Sequence, residues 1–375
     1  MKKYKQCENC ILDTNDDPFI SFDANGVCNH CKKYEEEARK HVFTGSEAQE
    51  KLNAIINKIK REGAGKKYDT ILGVSGGVDS TYLAFLAKQY GLRVLLFHFD
   101  NGWDSELSVK NIESMASKLG YDLSTYVVDW KEFRDVQLAY IKANVVDIEA
   151  ITDHAAKIAT IRLAKKFKIN NILIGTNVVS ESVLPANWIF SKRDWRNLRD
   201  IQRQYGSIKL STLPVSSIWE DFYIYRISKI NFFSLLDLVP YVKADVKKLI
   251  TEKLGWKDYG GKHYESIWTR FYQGYILPKK FGIDKRKAHY SNLICSGQMS
   301  KSEALEEMKL PIYDAQKLRE DKEYVYKKLG FTEKEFDEYL QHPRREHKEF
   351  DYIKPIEERY PYLKFLKTIY GKIKK

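Results

Sequence analysis

The chain has 375 residues, 43% hydrophobic and 30% charged, an ordinary globular composition that excludes disordered, collagen-like and small disulfide-stapled classes. At roughly 150 residues per domain, that length suits two or three folded units. Lys plus Arg outnumber Asp plus Glu by 63 to 51, a surplus of +12 that fits an anionic partner without saying which. The most apolar stretch, Ile230 to Val242, contains Asn231, Asp237 and Pro240 and is too short to span a bilayer. No apolar run follows the charged amino terminus, so no secretory signal is expected. The expectation is a cytoplasmic protein with no membrane partner.

Four of the five cysteines fall within the first 31 residues, as Cys7-x2-Cys10 and Cys28-x2-Cys31. Each pair turns two thiolates toward one point, and two such turns close a tetrahedral sulfur site that suits zinc. Two disulfides or an iron–sulfur cluster are the alternatives. Glu35 to Arg61 places Leu52, Ile55, Ile56 and Ile59 at helical spacing, which predicts an amphipathic helix. A ribbon and linking helix over residues 1–60 is the expected first unit.

Buried strands are predicted over Asp69–Val74, Arg93–Phe99, Asp122–Val128 and from Asn171 to Gly175. Helices are predicted over Thr81–Tyr90 and Leu107–Leu119, with two more helical stretches before the fourth strand. Apolar strands alternating with helices imply α/β architecture, with a doubly wound parallel sheet over residues 61–215. Ligands in such sheets sit beyond the carboxyl ends of the strands. Ser75–Ser80, Asp100-Asn-Gly-Trp and Gly175-Thr-Asn-Val lie at those ends and should converge. Residues 216–375 are expected to be a helical domain, with capping boxes at Ser300–Glu303 and Thr332–Glu335 and a basic tail from Tyr370.

Ser75-Gly76-Gly77-Val78-Asp79-Ser80 reads as strand, tight turn and helix start. Two glycines let backbone amides approach an anion, and the helix amino terminus adds unpaired N–H groups and a positive dipole end. Ser75 and Ser80 would join the cradle, and Asp79 would hold Mg²⁺ against the phosphates. The plain alternative is a strand-to-helix turn.

The Ser-Gly-Gly-x-Asp-Ser pattern after the first strand resembles the pyrophosphate loop of the adenine nucleotide α-hydrolase-like, or PP-loop ATP pyrophosphatase, superfamily, with its HUP-like sheet. That resemblance implies that ATP is split to AMP and pyrophosphate, with AMP attached to a substrate oxygen and then displaced. It also implies that Phe97, Phe99, Gly175 and Thr176 border adenine and ribose. Further segments, from Ser180 to Trp188, Tyr259 to Ile267, Phe271 to Lys280 and Gly282 to Gly297, look like the N-acetyl sugar amidotransferase family over nearly the whole chain. Its members make acetamidino sugars of bacterial surface glycans, including lipopolysaccharide O-antigen and nonulosonic acids. The substrate implied is a nucleotide-activated N-acetyl sugar, the cofactors ATP, Mg²⁺ and Zn²⁺. The amide oxygen would be adenylated and AMP displaced by ammonia.

Other residues are weighed against this chemistry. Lys279, Lys280, Lys285, Arg286 and Lys287 would cover the pyrophosphate, with Lys279 and Lys287 binding it and Lys285 acting in catalysis; a solvated face is the plain alternative. Asp153 and His154 would place a base near ammonia, although a helix-start Asp is usually a cap. Glu181, Asn187 and Trp188 would line the sugar pocket. Gly260, Gly261, Lys262 and His263 would form an anion-binding turn, with Gly261 and His263 at the substrate. His98 reads as a packed core residue and Cys295 as a buried thiol.

The chief rival is a PP-loop tRNA-thiolating ligase, which the positive charge suits. Only Cys295 lies outside the ribbon, however, so nucleic acid is not expected. A nucleotide-binding scaffold without chemistry is the rival of another class, and the intact loop argues against it. Neither a processed amino-terminal Cys, since residue 2 is Lys, nor a nucleophile elbow around Cys295 is present. Ammonia is therefore expected from a separate glutaminase, with a barrel protein, resembling the two subunits of imidazole glycerol phosphate synthase. A homodimer is compatible with the sequence.

Overall fold

The computed structural model describes residues 3–261 and 264–354. Lys262, His263 and the basic tail from Tyr370 lie outside the described residues. The ribbon leads into α1 (Asn29–His41) and α2 (Gly45–Gly63). The single helix expected over Glu35–Arg61 is two, parted at Val42–Thr44, where Phe43 N–H donates to the Asp237 carbonyl. Then follow β1 (Thr70–Gly73), α3 (Val78–Gln89), β2 (Val94–Asp100), α4 (Glu106–Leu119) and β3 (Asp122–Val127). Next come α5 (Trp130–Ala143), α6 (Ala150–Lys166), β4 (Asn171–Leu173), α7 (Val178–Glu181), α8 (Trp195–Tyr205) and α9 (Ile218–Phe222).

The strands form one parallel sheet in the order β3-β2-β1-β4-β5, where β5 is Asn231–Phe233. Its register follows the side-chain alternation. Leu72, Val94, Leu96 and Leu173 face a core built with α2, α3 and α4, while Ile71, Leu95, Phe97 and Ile172 face the other side against Ile158 and Ile161 of α6. Burial on both faces explains why these strands read as continuous apolar runs.

A wholly helical region from 216 onward is corrected by β5, which pairs with β4 through Asn171–Asn231 and Leu173–Phe233. Three residues are too few to show a period of two, so no pattern announces the strand. The sheet unit also runs past 215. Helix α10 (Lys243–Leu254) buries Val246, Ile250 and Leu254 in the same core as Leu83 and Leu96.

Beyond it lie α11 (Ile267–Phe271), continued as wide π-helical turns to Phe281, then α12 (Lys285–Cys295), α13 (Lys301–Glu307), α14 (Ala315–Leu329) and α15 (Glu333–Gln341). Both expected capping boxes are present, Ser300 with Glu303 and Thr332 with Glu335. Trp268, Phe271, Tyr326 and Phe336 pack ring against ring in a core that also receives α5 and the ribbon. Within it, Arg270 makes a two-pronged ion pair with Asp321 at 2.7 and 2.9 Å. No described helix is long and apolar enough to cross a membrane.

Candidate active site

Gly76 fixes the loop after β1. Its φ is +77°, and a Cβ there would lie 2.7 Å from the Ser108 carbonyl oxygen of α4, so only glycine fits. The Gly76 carbonyl accepts Trp256 Nε1–H at 2.8 Å. Ser75 Oγ accepts the Gly77 N–H at 3.4 Å, and Ser80 Oγ donates to the Gly77 carbonyl at 3.3 Å. Gly77 is the cap residue of α3, whose amino end therefore opens where the loop turns. Tyr259 Oη lies at that end, 3.3 Å from where a Cβ on Gly77 would stand.

The loop opens into a cavity of about 580 Å³. Ser75, Gly77, Val78, Asp79, Ser80, Gly175 and Thr176 line it, and so do Glu181 and Gly261. Lys243 and Lys247, one turn apart on α10, face it from across the cleft. Sequence reasoning missed both. They stand on a helix whose pattern looks ordinary, and only the docking of α10 on α3 brings them here. Lys247 is held by Asp258 at 2.6 Å, and Tyr241, just before α10, donates its hydroxyl to Asp79. The first turns of α3 and α10 therefore line one cavity, with two ammonium groups on the α10 side.

A second cavity, of about 800 Å³, adjoins the first. Gly73, Ser75, Glu181, Gly260, Gly261, Glu265 and His289 line both, so the two are parts of one cleft. Phe97 and Phe99 form one wall, Lys285, Arg286 and His289 of α12 another, and Asp147, Glu149, Asp153 and Lys192 one end. The segment before α11 crosses the cleft by pairing with the chain after β2, through Ser105 N–H to Glu265 O and Ile267 N–H to Trp103 O.

His98 is buried, as expected of a packed residue, and its edge also lines this cavity. Its Nδ1 lies 3.1 Å from the Val74 carbonyl and its Nε2 3.1 Å from Asp104. Burial disfavours its charged form, but the Asp104 carboxylate and the carbonyl outweigh that and raise its pKa above the ordinary value. It braces the start of the loop.

Several expected site residues lie elsewhere. His154 is 3% exposed and outside the cleft lining; Nδ1–H donates to the Lys192 carbonyl at 2.9 Å and Nε2 accepts the Ser216 N–H at 3.1 Å. With both nitrogens engaged it is a structural pin, not a base. Asp153 does reach the cleft, paired with Lys192 at 3.3 Å, and is not the cap of α6, a position Glu149 occupies. Trp188 is 1% exposed and gives its indole N–H to the Asp16 carbonyl at 2.8 Å, so it anchors the ribbon and does not stack on a sugar. Asn187 points the same way, to the same carbonyl at 3.4 Å. Lys287 binds Asp13 and Asp16 of the ribbon at 2.7 and 2.9 Å, away from phosphate. Lys279 is exposed and lines neither cavity. Of the basic cluster, Lys285 and Arg286 alone line the cleft. His263 lies outside the described residues.

In the ribbon, Cys7, Cys10, Cys28 and Cys31 are fully buried, with every ligand sulfur within 4.8 Å of the others. The Sγ–Sγ separations, 3.9 Å for Cys7–Cys31 and 3.7 Å for both Cys10–Cys28 and Cys28–Cys31, are well beyond the roughly 2.05 Å of a disulfide bond. Four sulfurs each 2.3 Å from zinc would stand about 3.8 Å apart, so the set fits a tetrahedral ion. Lys301 ties this unit to α13 through the Cys7 and Glu8 carbonyls.

Residues 69–188 match the family model described as queuosine biosynthesis protein QueC. That match spans strands β1 to β4 and the Ser75–Ser80 loop. Residues 265–367 match the model described as LPS biosynthesis protein WbpG-like, C-terminal domain. Among solved structures, the chain is similar to an NMN synthetase from Francisella tularensis at 13% identity and TM-score 0.38, covering 77% of this chain and 98% of that one. It is also similar to an NH3-dependent NAD synthetase from Campylobacter jejuni subsp. jejuni at 12% identity and TM-score 0.31, covering 76% and 97%. No curated protein matches.

The role of His154 is testable. Burial holds its pKa below the ordinary value. As pH falls below about 6.5, the unfolded chain takes the proton first, so this part of the stability is present above that pH and lost through the folded pKa. His154→Phe should cost about 1–3 kcal/mol at pH 7.5 by leaving Ser216 N–H and the Lys192 carbonyl unpaired. It should also flatten the stability loss between about pH 6.5 and 5. Denaturation midpoints at both pH values check this. Normal stability with abolished turnover would restore a catalytic His154.

Proposed function

We propose that the protein is an AMP- and pyrophosphate-forming carbon–nitrogen ligase that turns the acetamido group of a nucleotide-activated N-acetyl sugar into an acetamidino group. The product would serve a bacterial surface glycan, lipopolysaccharide O-antigen or nonulosonic acid; the WbpG-like match supports that setting. The observation that carries the reading is the bipartite cleft. A loop built for pyrophosphate opens directly into a second cavity large enough for another substrate.

An amide carbonyl is a poor electrophile for ammonia. Transfer of AMP to its oxygen gives an O-adenylyl imidate, and ammonia then attacks the imidate carbon while AMP leaves. This chain's part is to hold charge and position. The amino ends of α3 and α10, with Lys243 and Lys247, would neutralise the departing pyrophosphate. Phe97, Phe99, Gly175 and Thr176 border the space for the nucleoside. Asp79 and Glu181 line the smaller cavity and would offer carboxylate oxygens to a Mg²⁺ ion carried in on the phosphates. When bound, that ion screens phosphate charge. In the larger cavity Asp153, paired with Lys192, would take the proton that the attacking ammonia sheds. Gly260, Gly261 and Tyr264 also line the larger cavity.

No described cysteine lines either cavity, which weighs against tRNA thiolation. ATP–pyrophosphate exchange that requires an N-acetyl sugar nucleotide tests the reading; exchange with tRNA instead would replace it. Asp79→Asn should lower turnover by about 10³-fold or more with the fold intact, and Lys247→Met should weaken pyrophosphate inhibition by about tenfold. Near-normal kinetics in both variants would remove these residues from the site.

The nitrogen source follows from the cysteines. Four are buried in the ribbon and Cys295 ends a helix with no strand before it, so none forms a glutaminase nucleophile. We expect the purified chain to use ammonium salts but not glutamine, and to gain glutamine dependence when a glutaminase subunit and its barrel partner are added. Efficient glutamine use by the chain alone would contradict the need for a separate glutaminase.

A further inference from the structure

Cys295 is not the isolated thiol that its sequence position suggests. Its Sγ lies 3.6 Å from Cys31 Sγ, with the S–H directed at Cys31. Asn9 Nδ2 reaches both sulfurs, at 3.5 Å to Cys31 and 3.8 Å to Cys295. The four ribbon cysteines are 0% exposed, whereas Cys295 is partly exposed. Five sulfurs therefore gather at one place, four arranged for a metal and the fifth on the solvent side against one of them.

We infer that Cys295 is a peroxide-oxidation site that captures Cys31 as a disulfide and so opens the metal centre. The chemistry balances with hydrogen peroxide as oxidant. Peroxide converts the Cys295 thiol to sulfenic acid and leaves as water. The Cys31 thiolate attacks that sulfur, an S–S bond forms, and hydroxide departs. The two sulfurs together lose two electrons and the peroxide gains them. Cys7, Cys10 and Cys28 then remain as an incomplete ligand set, and zinc is released.

The two sulfurs, 3.6 Å apart, must close by about 1.5 Å to reach the roughly 2.05 Å of a disulfide. The link would also reach the cleft. Cys295 is the last residue of α12, and the same helix presents Lys285, Arg286 and His289 to the larger cavity. Lys287 of α12 meanwhile grips Asp13 and Asp16 of the ribbon. Metal loss would thus loosen the unit against which this cleft wall is packed.

This inference stands apart from the proposed reaction and is read without it. The zinc-loaded full chain is treated with equimolar hydrogen peroxide, released zinc is followed with a chromogenic chelator, and non-reduced peptides are mapped by mass spectrometry. The expected result is a Cys31–Cys295 linked peptide together with release of the chain's zinc, reversed by dithiothreitol plus zinc. Cys295→Ser should release zinc about tenfold more slowly, since the capturing thiol is gone. Should that variant purify without zinc, the wild-type peptide map decides alone. Equal release from Cys295→Ser, retention of zinc by the wild type, or a linkage among Cys7, Cys10, Cys28 and Cys31 in place of Cys295 overturns the inference.

Discussion

The contact between Gly76 and the Ser108 carbonyl sets the geometry of the whole cleft. β1 is central, with β2 on one side and β4 on the other, so the sheet reverses direction of winding there and leaves a crevice beyond the strand ends. The chain leaving β1 must turn within that crevice while α4 passes close by. A positive φ with no Cβ is the one solution that leaves the amino end of α3 open. Trp256 then locks the turn from behind, and His98 braces its start. The anion site is therefore a consequence of sheet topology and one glycine before any charged side chain is counted.

The charged groups divide into holders and actors. Lys287 and Lys301 spend their donors on the ribbon, as the neutral indole of Trp188 does, and Arg270 spends its on Asp321. These contacts fasten the cysteine unit to the helical region and to the segment after β4, and tie α11 to α14. Lys243, Lys247 and Lys285 are left facing the cleft. A surplus of +12 at the level of composition thus says little about where phosphate binds, because many basic residues are structural.

That division explains what the sequence revealed. The loop Ser75–Ser80, the strand ends at Phe97–Phe99 and Gly175–Thr176, and the four cysteines were legible because each is a local pattern with its own mechanism. Glu181 and Gly261 also face the cleft as expected. Trp188 and Lys287 misled because their partners, Asp16 and Asp13, are more than 170 residues away in sequence. His154 sits at the right height on α6 but is pinned by Lys192 and Ser216, which no spacing reveals. β5 is too short to carry a period, and Lys243 and Lys247 acquire meaning only when Tyr241 meets Asp79. Cys295 likewise looked alone until α12 packed on the ribbon.

The central claim is that the cleft places AMP on the acetamido oxygen of a sugar. Isotope transfer tests it most directly. An N-acetyl sugar nucleotide carrying ¹⁸O in its acetamido carbonyl is incubated with the protein, ATP, Mg²⁺ and an ammonium salt, and the AMP formed is weighed by mass spectrometry. The account predicts AMP that carries the label in its phosphate, in equal amount to the acetamidino product. Unlabelled AMP, or product formed with ADP and inorganic phosphate, would contradict it.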